Sequence, residues 1–147
     1  MSNRLSGNAL IDRAFAIAIM GHAGQTDKTG KPFLFHLIRV MQRVNTAEEQ
    51  TTALLHDLFE KSHLAIDTLK QEGIPDDIIE AVQLLTHDAE VPYRDYIERL
   101  KQNLLARSVK LADLEDNIST FKFKVQRGEA TPDQAQKYFE ALKVLGS

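Results

Sequence analysis

The stretch Ala53-Leu54-Leu55-His56-Asp57-Leu58-Phe59-Glu60-Lys61 sets a histidine and an aspartate side by side inside an apolar run, with a glutamate three residues on. On a helix, residues three and four apart are neighbours, so Glu60 falls on the edge shared by His56 and Asp57 and the three can converge on one point. Leu54, Leu55, Leu58 and Phe59 imply burial around most of the helix. There an unpartnered carboxylate carries a large desolvation penalty, which a bound cation removes.

The dipeptide alone is weak support, because 5 His and 11 Asp in 147 residues supply roughly 0.4 such pairs by chance. A second copy, His87-Asp88, is followed by Ala-Glu-Val-Pro, with no apolar run beyond it and no acid at the matching distance. It reads as a helix terminus without a catalytic role. Two further segments place polar groups in apolar company. His36 stands among Phe33, Leu34, Phe35, Leu37 and Ile38, and Asp113 lies between Leu111, Ala112 and Leu114 with Asn117 one turn later on the same face. Each alone reads as a satisfied core histidine or an ordinary charged helix. With the dyad they supply two imidazoles and two carboxylates, a mixed nitrogen and oxygen set suited to Mn²⁺, Fe²⁺ or Zn²⁺ and unsuited to Cu(I) or an iron–sulfur cluster.

The elements that must position these groups are helical throughout. Leu10, Ile11, Ala14, Phe15, Ala18 and Ile19 recur at three- and four-residue steps, giving a first helix that ends near residues 22–24. The polar segment Gln25-Thr-Asp-Lys-Thr-Gly-Lys-Pro32 is a loop leading to a second helix over residues 35–44. Thr46 and Glu49 have capping-box spacing, so a third helix is expected from Ala47 to about Glu60, with His56 and Asp57 near its end. A short helix stops at Gly73, and Pro75-Asp76-Asp77 supplies the first turn of a helix reaching about Thr86. Residues 93–101 and 104–121 read as two more, and Thr131-Pro-Asp-Gln134 opens the last. No segment alternates as a strand does. The expected class is all-α, a single-domain bundle of about seven or eight helices over residues 1–147.

Bulk properties bound the function classes. A chain of this length fits one domain. A net charge of −3 gives no chain-wide attraction for duplex nucleic acid. With no cysteine, disulfides, thiolate metal sites and thiol nucleophiles are excluded, and a reducing cytoplasm is the expected location. The longest apolar run, residues 14–20, is far short of the roughly 20 residues of a membrane helix, and no phosphate-cradling glycine loop or nucleophile elbow occurs. Composition leaves the oligomeric state open.

The order H…HD…D on helices resembles the signature of the HD superfamily of metal-dependent phosphohydrolases. More narrowly, His22-Ala-Gly-Gln25, Lys28-Thr-Gly30-Lys-Pro32-Phe33, His36, Ala53-Leu-Leu-His56-Asp57 with Glu60, and Lys110-Leu-Ala-Asp113 with Asn117 resemble the hydrolase domain of RelA/SpoT proteins and the small stand-alone metazoan SpoT homologues. Those enzymes remove the 3′-pyrophosphate of (p)ppGpp. The resemblance implies Mn²⁺ held by His36, His56, Asp57 and Asp113. It makes Glu60 and Asn117 the catalytic candidates, Glu60 orienting or deprotonating the attacking water, and it places Lys28, Asn117 and Thr120 against a nucleotide substrate. His22 matches the pattern without being a ligand there.

Three positions depart from the family pattern: Asp27 where an arginine contacts the guanine base, Lys61 where an acid follows the glutamate, and Ser119 where an arginine follows the asparagine. All three leave the ligand set intact and alter its surroundings. The resemblance therefore carries hydrolysis of a phosphate ester or anhydride, with another nucleotide or phosphate monoester as the alternative substrate. A catalytically silent nucleotide-binding module is the alternative class.

Overall fold

The computed structural model describes residues 4–146, and these form nine α-helices and one 3₁₀-helix without a named strand. Helix α1 (Gly7–Gly21) starts at Ser6, whose hydroxyl accepts the Ala9 N–H, and ends on His22. A loop through Asp27 leads to α2 (Leu34–Gln42), and a single antiparallel bridge pairs Thr26 with Pro32. Gly24 and Gly30 take φ of 82° and 85° in this loop, a left-handed backbone that side chains with a Cβ disfavour.

The expected third helix is broken in two. Helix α3 (Ala47–Leu55) opens with the full Thr46/Glu49 capping box, each side chain satisfying the other residue's backbone N–H. It stops at His56, and a single turn, α4 (Leu58–Lys61), follows with Asp57 (φ −102°, ψ 3°) as its N-cap. The His56 ring takes part in the break, since Nδ1–H donates to the Ala53 carbonyl at 2.6 Å. In an unbroken helix covalent neighbours point about 100° apart. The break lets both side chains face the same way.

Helix α5 (Ile66–Gln71) ends as expected at Gly73 (φ 81°), with the Ile74 and Gly73 N–H groups returning to the Leu69 and Lys70 carbonyls. Helix α6 (Asp76–Leu85) uses Pro75 as N-cap instead of a first-turn residue, and α7 (Tyr93–Lys101) has the expected bounds. Helix α8 (Leu104–Gln126) runs five residues past the expected end at Phe121. Its stop is Gly128 (φ 73°), where the Gly128 and Glu129 N–H groups close on the Val125 and Lys124 carbonyls. The last segment splits into a 3₁₀ turn (Pro132–Ala135), with the Thr131/Gln134 capping box in place, and α9 (Gln136–Gly146).

Helix α3 is the centre of the bundle. It packs against α1, α2, α6 and α8, and all of residues 51–55 are buried. Leu54, Leu55 and Leu58 face a cluster with Leu10, Ile17, Leu37 and Ile78, while Ala53 faces a second cluster with Val40, Leu100, Val109 and Leu145. Each fully buried leucine contributes roughly 1.5–3 kcal/mol relative to exposure. That packing fixes the end of α3, and with it His56 and Asp57. No helix among the described residues is long and apolar enough to cross a membrane.

Candidate metal centre

Four side chains from three regions of the chain meet beneath the α3–α4 break. His36 lies in the first turn of α2, His56 caps α3, Asp57 precedes α4 and Asp113 sits midway along α8. One donor atom from each falls within 4.8 Å of all the others. His36 Nε2 is 3.0 Å from Asp113 Oδ1 and 3.6 Å from Asp57 Oδ2. His56 Nε2 is 3.0 and 3.2 Å from the same two oxygens.

The outward ring nitrogens define the tautomers. His36 Nδ1 lies 2.6 Å from Asp116 Oδ2, and His56 Nδ1 is 2.6 Å from the Ala53 carbonyl. Each acceptor takes an Nδ1–H, so both Nε2 atoms face the cluster, and each imidazole, when neutral, would offer its Nε2 lone pair there as metal-ligating histidines do. Two imidazole nitrogens and two carboxylates in this arrangement fit a divalent ion, which His36, His56, Asp57 and Asp113 would hold.

Without a cation the cluster is held by its own charges. Burial lowers the His56 pKa, but Asp57 and Asp113 reverse this and raise it well above the usual histidine range. Burial pushes the Asp57 carboxyl up, whereas the charge and hydrogen bond of His56 carry it down to about 2. Asp113 is likewise lifted by burial and pulled well below the ordinary carboxylate range by Lys110 and the imidazoles. Lys110 Nζ lies 3.1 Å from Asp113 Oδ2 and above the Tyr96 ring, 5.3 Å from its centroid.

His36, Asp57 and Asp113 line a cavity of about 580 Å³ that also takes in Lys28, Glu60, Asn117 and Thr120, with His56 buried behind them. Lys28 Nζ donates to Asn117 Oδ1 at 2.6 Å, and Thr120 Oγ1 donates to the Asp116 carbonyl at 2.8 Å. Glu60 is not among the four converging donors. Its Oε1 accepts the His87 N–H, which holds it at the cavity edge. The expected meeting of Glu60 with His56 and Asp57 at one point thus does not occur, because the helix that would have joined them is interrupted.

The remaining positions separate clearly. His87 follows the end of α6 as expected, yet it lines the cavity and stacks on Tyr96 at 4.7 Å. Tyr93 and Tyr96 pack together and also border the cavity. His22 caps α1 and bonds through Nδ1 to Gln25 Oε1 at 2.8 Å, and its buried Nε2 has no hydrogen-bond partner among the described residues. His63 is exposed, and Lys110 of α8 lines the cavity. Asp27 is buried in its loop, Lys61 Nζ lies over the Phe33 ring, and Ser119 Oγ bonds to the Asp116 carbonyl.

Sequence reasoning missed Asp116 and Arg39. The signal was present, since Asp116 is three residues from Asp113 and Arg39 three from His36, each one turn along the same helix face. It also missed Lys124, Arg127, Lys137 and Tyr138, which α8 and the C-terminal segment bring to the cavity.

No family model matches the chain. A curated relative, the guanosine-3′,5′-bis(diphosphate) 3′-pyrophosphohydrolase of Aquifex aeolicus (strain VF5), is 27% identical over 122 aligned residues, covering 75% of this chain. The chain spans only 17% of that relative's length. Among solved structures, one described as a metazoan ortholog of SpoT that hydrolyses ppGpp and plays a role in starvation responses aligns with a TM-score of 0.70 at 23% identity. The alignment covers 98% of this chain and 86% of that one. In sequence the chain thus resembles a part of that pyrophosphohydrolase, and it shares the all-α fold of the SpoT ortholog.

Proposed function

We propose that the protein is a divalent-metal-dependent nucleotide phosphohydrolase of the (p)ppGpp 3′-pyrophosphohydrolase type. The observation that carries this reading is the convergence of two Nε2 atoms and two carboxylates, within 4.8 Å of one another, beside a large cavity that three of the four residues line together with several cationic side chains. The similarity to ppGpp hydrolases in sequence and fold supports the same conclusion.

His36, His56, Asp57 and Asp113 hold the cation, and Mn²⁺ suits the mixed donor set. A bound divalent ion acidifies its coordinated water and offsets charge developing on the phosphoryl oxygens. Glu60, at the cavity edge and anchored by the His87 N–H, orients the attacking water and receives its proton. Lys28 and Asn117, already hydrogen-bonded at 2.6 Å, face the substrate phosphates, with Thr120 beside them. The buried Nε2–carboxylate contacts keep both imidazoles and both acids fixed before substrate arrives, so little reorganisation is left for the reaction. The cysteine-free chain suits a reducing compartment such as the cytoplasm.

The substrate base is the open variable. Asp27, at the family's arginine position, has both carboxylate oxygens engaged within the protein, which favours a nucleotide not selected through that contact. The decisive assay measures phosphate and pyrophosphate release from ppGpp and a nucleotide panel in Mn²⁺. Asp57→Ala is expected to abolish metal retention and turnover, and Asp88→Ala, an exposed residue bonded to the Glu90 N–H, to preserve both. Undiminished hydrolysis by Asp57→Ala refutes the assignment. Nucleotide binding without product across the panel identifies a silent binding module instead.

A further inference from the structure

Asp116 is fully buried and is not one of the four converging donors, and its carboxylate is used twice. Oδ2 accepts the His36 Nδ1–H at 2.6 Å, and Oδ1 accepts the Arg39 Nε–H at 2.7 Å. Arg39 then reaches in the opposite direction. Its Nη2 donates to Asp27 Oδ2 at 2.9 Å while also lying 3.1 Å from Asp116 Oδ2. One guanidinium, 29% exposed, thus bridges a carboxylate of α8 and a carboxylate of the loop between α1 and α2. Arginine's planar, forked donors suit such a bridge, whereas a lysine ammonium offers no fork.

The two oxygens of Asp27 have separate tasks. Oδ1 accepts the Thr29 N–H at 3.0 Å, the Thr29 hydroxyl at 2.6 Å and the Lys31 N–H at 3.0 Å, which shapes the loop. Among the described residues, Oδ2 meets Arg39 as its hydrogen-bond donor. The same loop carries Lys28, bonded to Asn117 across the cavity. A continuous path of charge-assisted hydrogen bonds therefore runs from the cavity loop through Arg39 and Asp116 to the outward nitrogen of His36.

We infer that Asp27 and Arg39 are positioning residues for His36, so that the seat of the cavity loop sets how tightly the centre holds its cation. The inference rests on the metal reading above. Its physical basis is that the partner of a ligating histidine's second nitrogen fixes ring orientation and donor strength, and removing such partners typically weakens metal binding about 10–100-fold. Asp27 stands one charge further out. Its loss leaves Arg39 free to turn from Asp116, and Asp116 then holds the imidazole less firmly.

The test is Mn²⁺ affinity of the full chain, measured by competition with a chelating indicator, alongside the melting temperature in excess chelator. Asp27→Asn is the informative substitution because it keeps Oδ1 for the loop and replaces Oδ2 by an NH₂ that cannot accept from Arg39. It is expected to weaken Mn²⁺ binding about tenfold, and the melting temperature in chelator reads separately the stability lost with one charge of the Arg39–Asp27 pair. Arg39→Met is expected to weaken binding at least as much, and the double variant no more than Arg39→Met alone, since the two residues act in one chain. Asp27→Asn affinity within twofold of the parent, or fully additive effects, overturns the inference. His56→Ala is the control for the underlying reading: unchanged Mn²⁺ affinity there removes the metal centre itself, whereas a loss there beside an unaffected Asp27→Asn removes only the relay. If Arg39→Met does not fold, Asp27→Asn decides alone.

Discussion

Lys110→Met separates what the protein does for its acidic cluster from what a cation does for it. The Lys110 ammonium lies 3.1 Å from Asp113 Oδ2, with side chains only 12% and 6% exposed. Burial lowers its pKa, but the charge of Asp113 outweighs this and holds it well above the usual lysine range, so the pair is charged at neutral pH. Removing one partner of a buried ion pair costs about 3–5 kcal/mol, because the other charge remains buried and uncompensated. The residual exposure of Lys110 and the two imidazoles still facing Asp113 favour the lower end, about 3 kcal/mol. At roughly 2–4 °C per kcal/mol for a chain of this size, metal-free Lys110→Met should melt about 6–12 °C below the parent. Saturating Mn²⁺ should close most of that gap, because a divalent charge beside Asp113 replaces the missing ammonium. Differential scanning fluorimetry with chelator and with Mn²⁺ reads both quantities. Equal Mn²⁺-induced shifts in variant and parent would refute the reasoning, since Lys110 and the cation would then not be acting on the same carboxylate.

The pH dependence of metal-free stability follows from the same cluster. His36 and His56 are raised in the folded state, so their contribution is complete below the unfolded value of about 6.5 and is lost as pH rises through the folded values. Asp57 and Asp113 are depressed, so theirs is present above about 4 and lost as pH falls through their folded values. Melting in chelator should therefore be highest between about pH 4 and 6.5 and decline toward pH 9, while Mn²⁺ affinity, which requires neutral imidazoles, should rise over the same span. A metal-free melting temperature that climbs from pH 6 to 9 would contradict this. Lys28→Met removes a cavity cation that already donates to Asn117; a charged donor to a phosphate is worth roughly 1.5–3 kcal/mol, so KM for a polyphosphate nucleotide should rise about tenfold or more in saturating Mn²⁺. Thr46→Ala deletes half of a capping box at the start of α3 and should cost about 1 kcal/mol, read as a melting shift of roughly 2–4 °C with the centre still able to bind Mn²⁺.

Local chemistry made the helices legible. The Thr46/Glu49 box, the Gly73 stop and the Thr131/Gln134 box all lie where their spacing placed them, because capping depends on residues within one turn. The interruption at His56–Asp57 was invisible to the same reasoning, since Ala53 to Lys61 has uninterrupted helical composition and nothing in it foretells the His56 ring bonding to the Ala53 carbonyl. Periodicity beyond Phe121 was too weak to extend α8, although Gly128 marked the true end. The grouping of His36, His56, Asp57 and Asp113 could be expected because each is a polar residue in apolar company, for which burial without a partner is costly. Arg39 and Asp116 each stand one turn from a ligand candidate, but that spacing alone names no partner. Their meaning depends on α2 and α8 lying face to face, which no local pattern encodes.

The donors His36 and Asp113 are separated by 77 positions along the polypeptide, and the second arrives on the longest helix, after most of the bundle has been synthesised. A cation joining them closes a long loop that the unfolded chain leaves open, so it acts as a reversible cross-link between early and late portions of the molecule. Partially folded forms in which α8 has not docked lack a complete coordination sphere. Ion capture would then report the finished tertiary structure, and its main kinetic effect would be to slow the departure of α8.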